Sequence, residues 1–165
     1  MPEPLSRRGV LTAGLSGAAA VAIGARPAVA AEGPDPGPAL TALLRAELDA
    51  AFVYRTARQE DAALLAEQEE EHARALAGHL QAVGLKPPAP RRSRAGLPPE
   101  ALALLEAGTR AERLSAAAAY ERTLIAGYAT RLAPLEEPGI VRTLATVMAS
   151  HAQHLALHER AAGLE

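Results

Sequence analysis

Residues 84–99 read GLKPPAPRRSRAGLPP, and this stretch constrains the fold more than any other. A helix cannot pass through its prolines, because each lacks the backbone N–H and its ring clashes with the preceding turn. Helix-patterned sequence lies on both sides of it. Upstream, the periodicity predicts helices over about 39–58 and 61–83, the second closed by Gly84 just past its end. Downstream, a short turn at 100–107 is closed by Gly108, and Thr109-x-x-Glu112 has the form of a capping box. That box opens a helix over about 110–133, Pro138-Gly139 breaks the chain, and a last helix follows over about 140–162. Strand alternation is absent. Residues 31–38, AEGPDPGP, read as a linker, so the folded unit is expected over 39–163 with its crossover at 84–109.

Each long helix spans roughly 30–36 Å at about 1.5 Å per residue. The proline-rich stretch can extend about 50 Å, enough to run the length of such helices. An up-down bundle needs only a short middle loop. The expectation is therefore an all-α fold of two antiparallel helical hairpins joined by one long crossover.

Hydrophobic residues make up 49% of the 165, yet aromatics only 2%: Phe52, Tyr54, Tyr120 and Tyr128. Alanine and leucine carry the apolar content, which suits closely packed helices and suits strands poorly. The formal charge is −2. Without residues 1–30 there are 14 basic and 18 acidic residues, a balance that argues against a nucleic-acid partner. Cysteine is absent, which excludes disulfides, thiolate metal sites and a cysteine-linked lipid anchor.

The N-terminus opens with SRRGVL, followed by an uncharged run from Gly9 to Ala25 that is short and weakly apolar for a membrane span. Ala28-Val29-Ala30 then offers a small-x-small cleavage pattern. Arg7 and Arg8 with Leu11 resemble the twin-arginine export signal, which implies cleavage after Ala30 and a periplasmic or extracellular location. With the leader gone, no membrane partner is expected.

The candidate chemistry lies in an internal repeat. ELDAAFVY, from Glu47, and ERTLIAGY, from Glu121, both place a glutamate seven residues before a tyrosine, Tyr54 or Tyr128. Seven residues is close to two turns, so each pair shares a face. Leu40, Leu43, Leu44, Ala50 and Ala51 surround Glu47 on that face, and Leu114, Ala117, Ala118, Leu124 and Ile125 surround Glu121. A carboxylate in an apolar stripe must be paired, protonated or bound to a metal.

The second helix carries EEEHARAL, in which Glu69 and His72 form Glu-x-x-His, a carboxylate and an imidazole one turn apart. The fourth carries ASHAQHLALH, with His151, His154 and His158 on one side. In an antiparallel hairpin, residues at one level are equidistant from the turn. The midpoint of Glu47 and His72 falls in the polar break near residue 60, and that of Glu121 and His154 at Pro138. Both hairpins thus put their candidates at matching depth, and His154 is expected to face His72 across the bundle.

LLRAELDAAFVY, EEEHARAL, AAYERTLIAGY and VMASHAQHLAL together resemble the ferritin-like superfamily, in particular exported bacterial ferritin-like domain proteins of the desiccation-related type. The resemblance covers about 40–162. It implies a ferritin-like four-helix bundle and a di-iron arrangement in which one Glu comes from each of two helices and Glu-x-x-His from each of the others. Carried over, the metal ligands are Glu47, Glu69, His72, Glu121 and His154, with His151 standing where the family pattern has glutamate. Three carboxylates then face the four charges of two divalent ions, so a single metal, a histidine-rich mixed site, another divalent metal or a decayed site are alternatives to di-iron. Tyr54, Tyr128 and His158 are the expected outer neighbours. The implied function is oxidase or peroxide-consuming chemistry, with oxygen or peroxide as partner. No catalytic residue is assigned, and a homo-oligomer is left open. The alternative is a metal-free bundle with a structural, binding or stress-protective role, its Glu and His residues satisfying one another.

Overall fold

The computed structural model describes residues 34–57 and 61–163, and these form five helices and no strand. They are α1 (Gly37–Thr56), α2 (Ala62–Ala82), α3 (Pro99–Glu106), α4 (Arg110–Leu132) and α5 (Pro138–Ala162). The twin-arginine motif and the cleavage site after Ala30 lie outside the described residues.

Local chemistry sets the ends. α1 starts two residues before the expected position, because Pro38 fits a first turn and the Asp35 carboxylate accepts the Gly37 N–H at 2.9 Å. α5 starts at Pro138 rather than Ile140, because Glu137 accepts the Gly139 and Ile140 amides at 3.0 and 2.5 Å. At α4 the capping box forms as a reciprocal pair: Thr109 accepts from the Glu112 N–H, and Glu112 accepts from the Thr109 N–H. α2 ends as Gly84 takes a φ of 77°, which lets the Leu85 N–H reach the Leu80 carbonyl at 2.9 Å.

Side-chain pairs give the helix directions. Arg55 meets Glu70 and Glu47 meets His72, so α1 and α2 are antiparallel. Arg110 reaches the Ala161 carbonyl and Glu121 meets His151, so α4 and α5 are antiparallel. Tyr54 reaches Glu121 while Tyr128 reaches Glu47, so α1 also runs against α4. α2 and α4 therefore point the same way, and residues 83–109 must return along the bundle between them. That return is held down at two places. Arg91 pairs with Asp49 of α1 and donates to the Ala95 carbonyl at 2.6 Å. Leu97, Ala101 and Leu104 bury themselves in the apolar cluster that contains Tyr54 and Tyr120.

The core is split in two. One apolar cluster holds Val53, Leu65, Leu104, Tyr120 and Leu124; the other holds Leu40, Leu43, Leu76, Leu80 and Leu144. Glu47, Glu69, Glu121, His151 and His154 are buried as well, contributed by α1, α2, α4 and α5. Ala50, Ala117 and Ala118, all buried, keep the helices close around them. Burial of each core leucine contributes about 2 kcal/mol. A buried polar cluster contributes far less net, since its hydrogen bonds and ion pairs first offset desolvation. No described helix is long and apolar enough to cross a membrane.

Candidate metal centre

Glu47 comes from α1, Glu69 and His72 from α2, Glu121 from α4, and His151 and His154 from α5. The structure brings all six together. Glu47, Glu69, Glu121 and His151 are fully buried, His154 nearly so, and the His72 side chain is 14% exposed. Glu70 and Glu71, the rest of the acidic run, lie at progressively more open positions. The helical period therefore separates one buried carboxylate from two on the outer face.

His72 Nδ1 lies 3.2 Å from Glu47 Oε2 and 2.9 Å from Glu69 Oε2. His151 spans the cluster: Nε2 is 3.1 Å from Glu47 Oε1, and Nδ1 is 2.9 Å from Glu121 Oε2. His154 Nδ1 lies 3.4 Å from Glu69 Oε1 and 3.5 Å from Glu121 Oε1. The ring beside His72 is His151, with centroids 5.5 Å apart, so His151 takes the place in which His154 was expected.

The two tyrosines serve the site crosswise. Tyr128 of α4 donates to Glu47 Oε1 at 2.6 Å, and Tyr54 of α1 donates to Glu121 Oε1. Burial pushes both phenols well above their ordinary range, and the adjacent carboxylate charge adds to it, so both stay neutral donors. His158 is buried with Nε2 3.5 Å from the Tyr54 hydroxyl, one layer out from the six. Burial lowers its pKa. His79, on the same face of α2, binds Thr143 instead and takes no part.

Without a metal the cluster is a charge network. Burial alone would raise the Glu47 carboxyl, but the His151 charge and hydrogen bonds from His151 and His72 hold it far below the usual range. Glu121, against the same effect of burial, is brought down to about 2 by its hydrogen bond from His151 and by the charges of His151 and His154. Burial disfavours the His72 imidazolium, yet its bonds to Glu47 and Glu69 and their charges raise it to about 9. Against the same effect of burial, His151 is raised chiefly by the Glu47 and Glu69 charges and His154 by Glu121 and Glu69. These contacts favour charged Glu47 and Glu121 carboxylates and charged His72, His151 and His154 rings.

Two atoms of that network are held by charge alone. Glu69 Oε1 and His154 Nδ1 are buried without a hydrogen-bond partner, although they lie 3.4 Å apart. Buried polar atoms are nearly always satisfied, so a neighbouring orphaned oxygen and nitrogen need a third party. Separations near 3 Å are those of two ligands at about 2.0–2.2 Å from one metal ion. His154 is oriented for that role, because its Nε2–H donates to Gln68 Oε1 at 2.8 Å and leaves Nδ1 to face inward. A metal ion fits the donor set. Two overlapping groups have ligand atoms all within 4.8 Å of one another: Glu47, Glu69, His72 and His151, then Glu69, Glu121, His151 and His154.

Sequence reasoning passed over Gln68, hidden in the polar run EQEEEH. The signal was available, since Gln68 stands four residues before His72 on a shared face. Tyr120, with no Glu at matching spacing, was also passed over; it packs on Tyr54 with ring centroids 6.3 Å apart. In comparison with known proteins, no family model and no curated protein matches this chain.

Proposed function

We propose that this chain is an exported ferritin-like protein whose bundle core holds an iron-type centre. The direction of α1, α2, α4 and α5 with one long return between α2 and α4 supports the ferritin-like reading. The ligand set supports the iron-type reading: carboxylates and imidazoles without sulfur suit iron or manganese better than the soft-ligand metals. When bound, such a metal supplies a redox couple for oxygen or peroxide. The chain's own residues hold and shield the site. Tyr54 and Tyr128 fix the Glu121 and Glu47 carboxylates, Gln68 orients His154, and buried leucines of both apolar clusters limit access of bulk water.

One observation carries the metal reading: the adjacent unbonded Glu69 Oε1 and His154 Nδ1. A purely structural network of these residues pairs the two by charge at 3.4 Å but leaves both without a hydrogen bond. The test is metal content. The full chain is loaded with Fe(II) without oxygen, desalted and assayed beside a Glu47→Ala, Glu121→Ala double variant. At least one iron per chain is expected in the parent, with most of it gone from the variant. Less than one in the parent, or equal iron in both, sinks the reading. Export is tested separately by cell fractionation, where Arg7→Lys, Arg8→Lys is expected to trap the protein in the cytoplasm.

A further inference from the structure

The two groups of candidate ligands share Glu69 and His151, and both shared residues divide in the same way. Glu69 Oε2 lies 2.9 Å from His72 Nδ1 in the first group, while its Oε1 faces His154 Nδ1 in the second. His151 Nε2 lies beside Glu47 in the first group, while its Nδ1 lies beside Glu121 in the second. Each shared side chain presents one donor atom to each group. For a carboxylate this is an ordinary bridging posture.

For an imidazole it is unusual. A terminal histidine ligand uses one ring nitrogen for the metal and gives the other N–H to an outer partner. His154 follows that pattern, with Gln68 as its outer partner. His151 does not: both of its nitrogens end on carboxylates of the cluster, and its side chain is fully buried. Charge points the same way. Two divalent ions bring four positive charges, against three from the carboxylates Glu47, Glu69 and Glu121. A fourth negative charge is wanted at the position where His151 stands.

Resting on the metal-site reading above, we propose that His151 bridges two divalent cations, one on each ring nitrogen, as an imidazolate. Glu69 is the carboxylate bridge beside it. As each nitrogen–metal bond forms, the proton on that nitrogen leaves to solvent, and no electron is transferred. The bridge supplies the fourth negative charge, so the buried site is neutral with only three carboxylates. His151 thereby supplies the charge that a fourth carboxylate would bring, with a ring between the cations.

The full chain, labelled with ¹⁵N-histidine and titrated with Zn(II), tests this directly. Two zinc ions per chain are expected. His72 and His154 should each keep one ring N–H, whereas His151 should show none and both its nitrogens should shift as metal-bound. In His151→Gln that pair of signals should vanish and affinity for the second zinc should fall at least tenfold. A Cu(II)-loaded parent gives a second readout that needs no variant: bridged copper ions couple magnetically, so the spin count should fall well below the copper bound. One zinc per chain, or two with a retained His151 N–H or uncoupled copper, overturns the bridge and leaves the metal site standing. No bound metal overturns both.

Discussion

Raising the pH of the metal-free protein should unfold its centre from the histidine side. His72 is held up at about 9, against an ordinary 6.5, so the folded state binds its proton more tightly than the unfolded chain does. Its contribution is complete below about pH 6.5 and disappears as the pH climbs through 9. The gap is worth roughly 3 kcal/mol at ~1.4 kcal/mol per pH unit, and a quarter or more of a typical domain stability. His151 and His154 shift in the same direction and add to the loss. The acid limb has the opposite origin: Glu121 is lowered to about 2, so its contribution is present above about 4.5 and fades as the pH falls through 2. Metal-free stability should therefore peak between about pH 4.5 and 6.5. Urea unfolding followed by helical circular dichroism, with chelator present at steps from pH 4 to 10, reads this out. Stability that is flat from pH 6 to 10 within 1 kcal/mol would refute the charge network. With metal bound the alkaline trend should reverse, because the ligands coordinate only when deprotonated.

Three further outcomes follow from the same geometry. Glu121→Gln takes the carboxylate partner from His151 and His154 in a dry cluster and should lower metal-free stability by about 3–5 kcal/mol in urea titrations. Adding His151→Gln to it should cost markedly less than the sum of the single changes, because both remove the same pair. Tyr128→Phe deletes the 2.6 Å bond to Glu47 and should cost about 2 kcal/mol, with weaker metal binding in a competition assay against a coloured chelator. Leu104→Ala opens a cavity where the crossover helix docks on Tyr54 and Tyr120, and should lower stability by about 2–5 kcal/mol while metal stoichiometry stays at the parent value.

How much of this was legible in the chain depends on which forces act locally. Prolines 87, 88, 90, 98 and 99 rule out a continuous helix, so the long return between hairpins could be read directly. The heptad spacing of Glu47 to Tyr54 and of Glu121 to Tyr128 follows from the helical period, as does the shared face of Glu69 and His72. Matching depth followed from counting outward from each turn. These are properties of one helix or one hairpin.

What the sequence could not settle depends on how hairpins meet. Each tyrosine bonds the glutamate of the other helix, because α1 and α4 run in opposite directions and face each other; spacing along one helix cannot show that. Gln68 matters only because α5 brings His154 within 2.8 Å of it. The largest decision concerns His151. By sequence it is one of three histidines sharing a helix face. In the fold it lies between Glu47 and Glu121, carboxylates from two different hairpins, with one nitrogen on each. Residue types and periods set which groups are buried, while only the packing of four helices around one point set which atoms they meet.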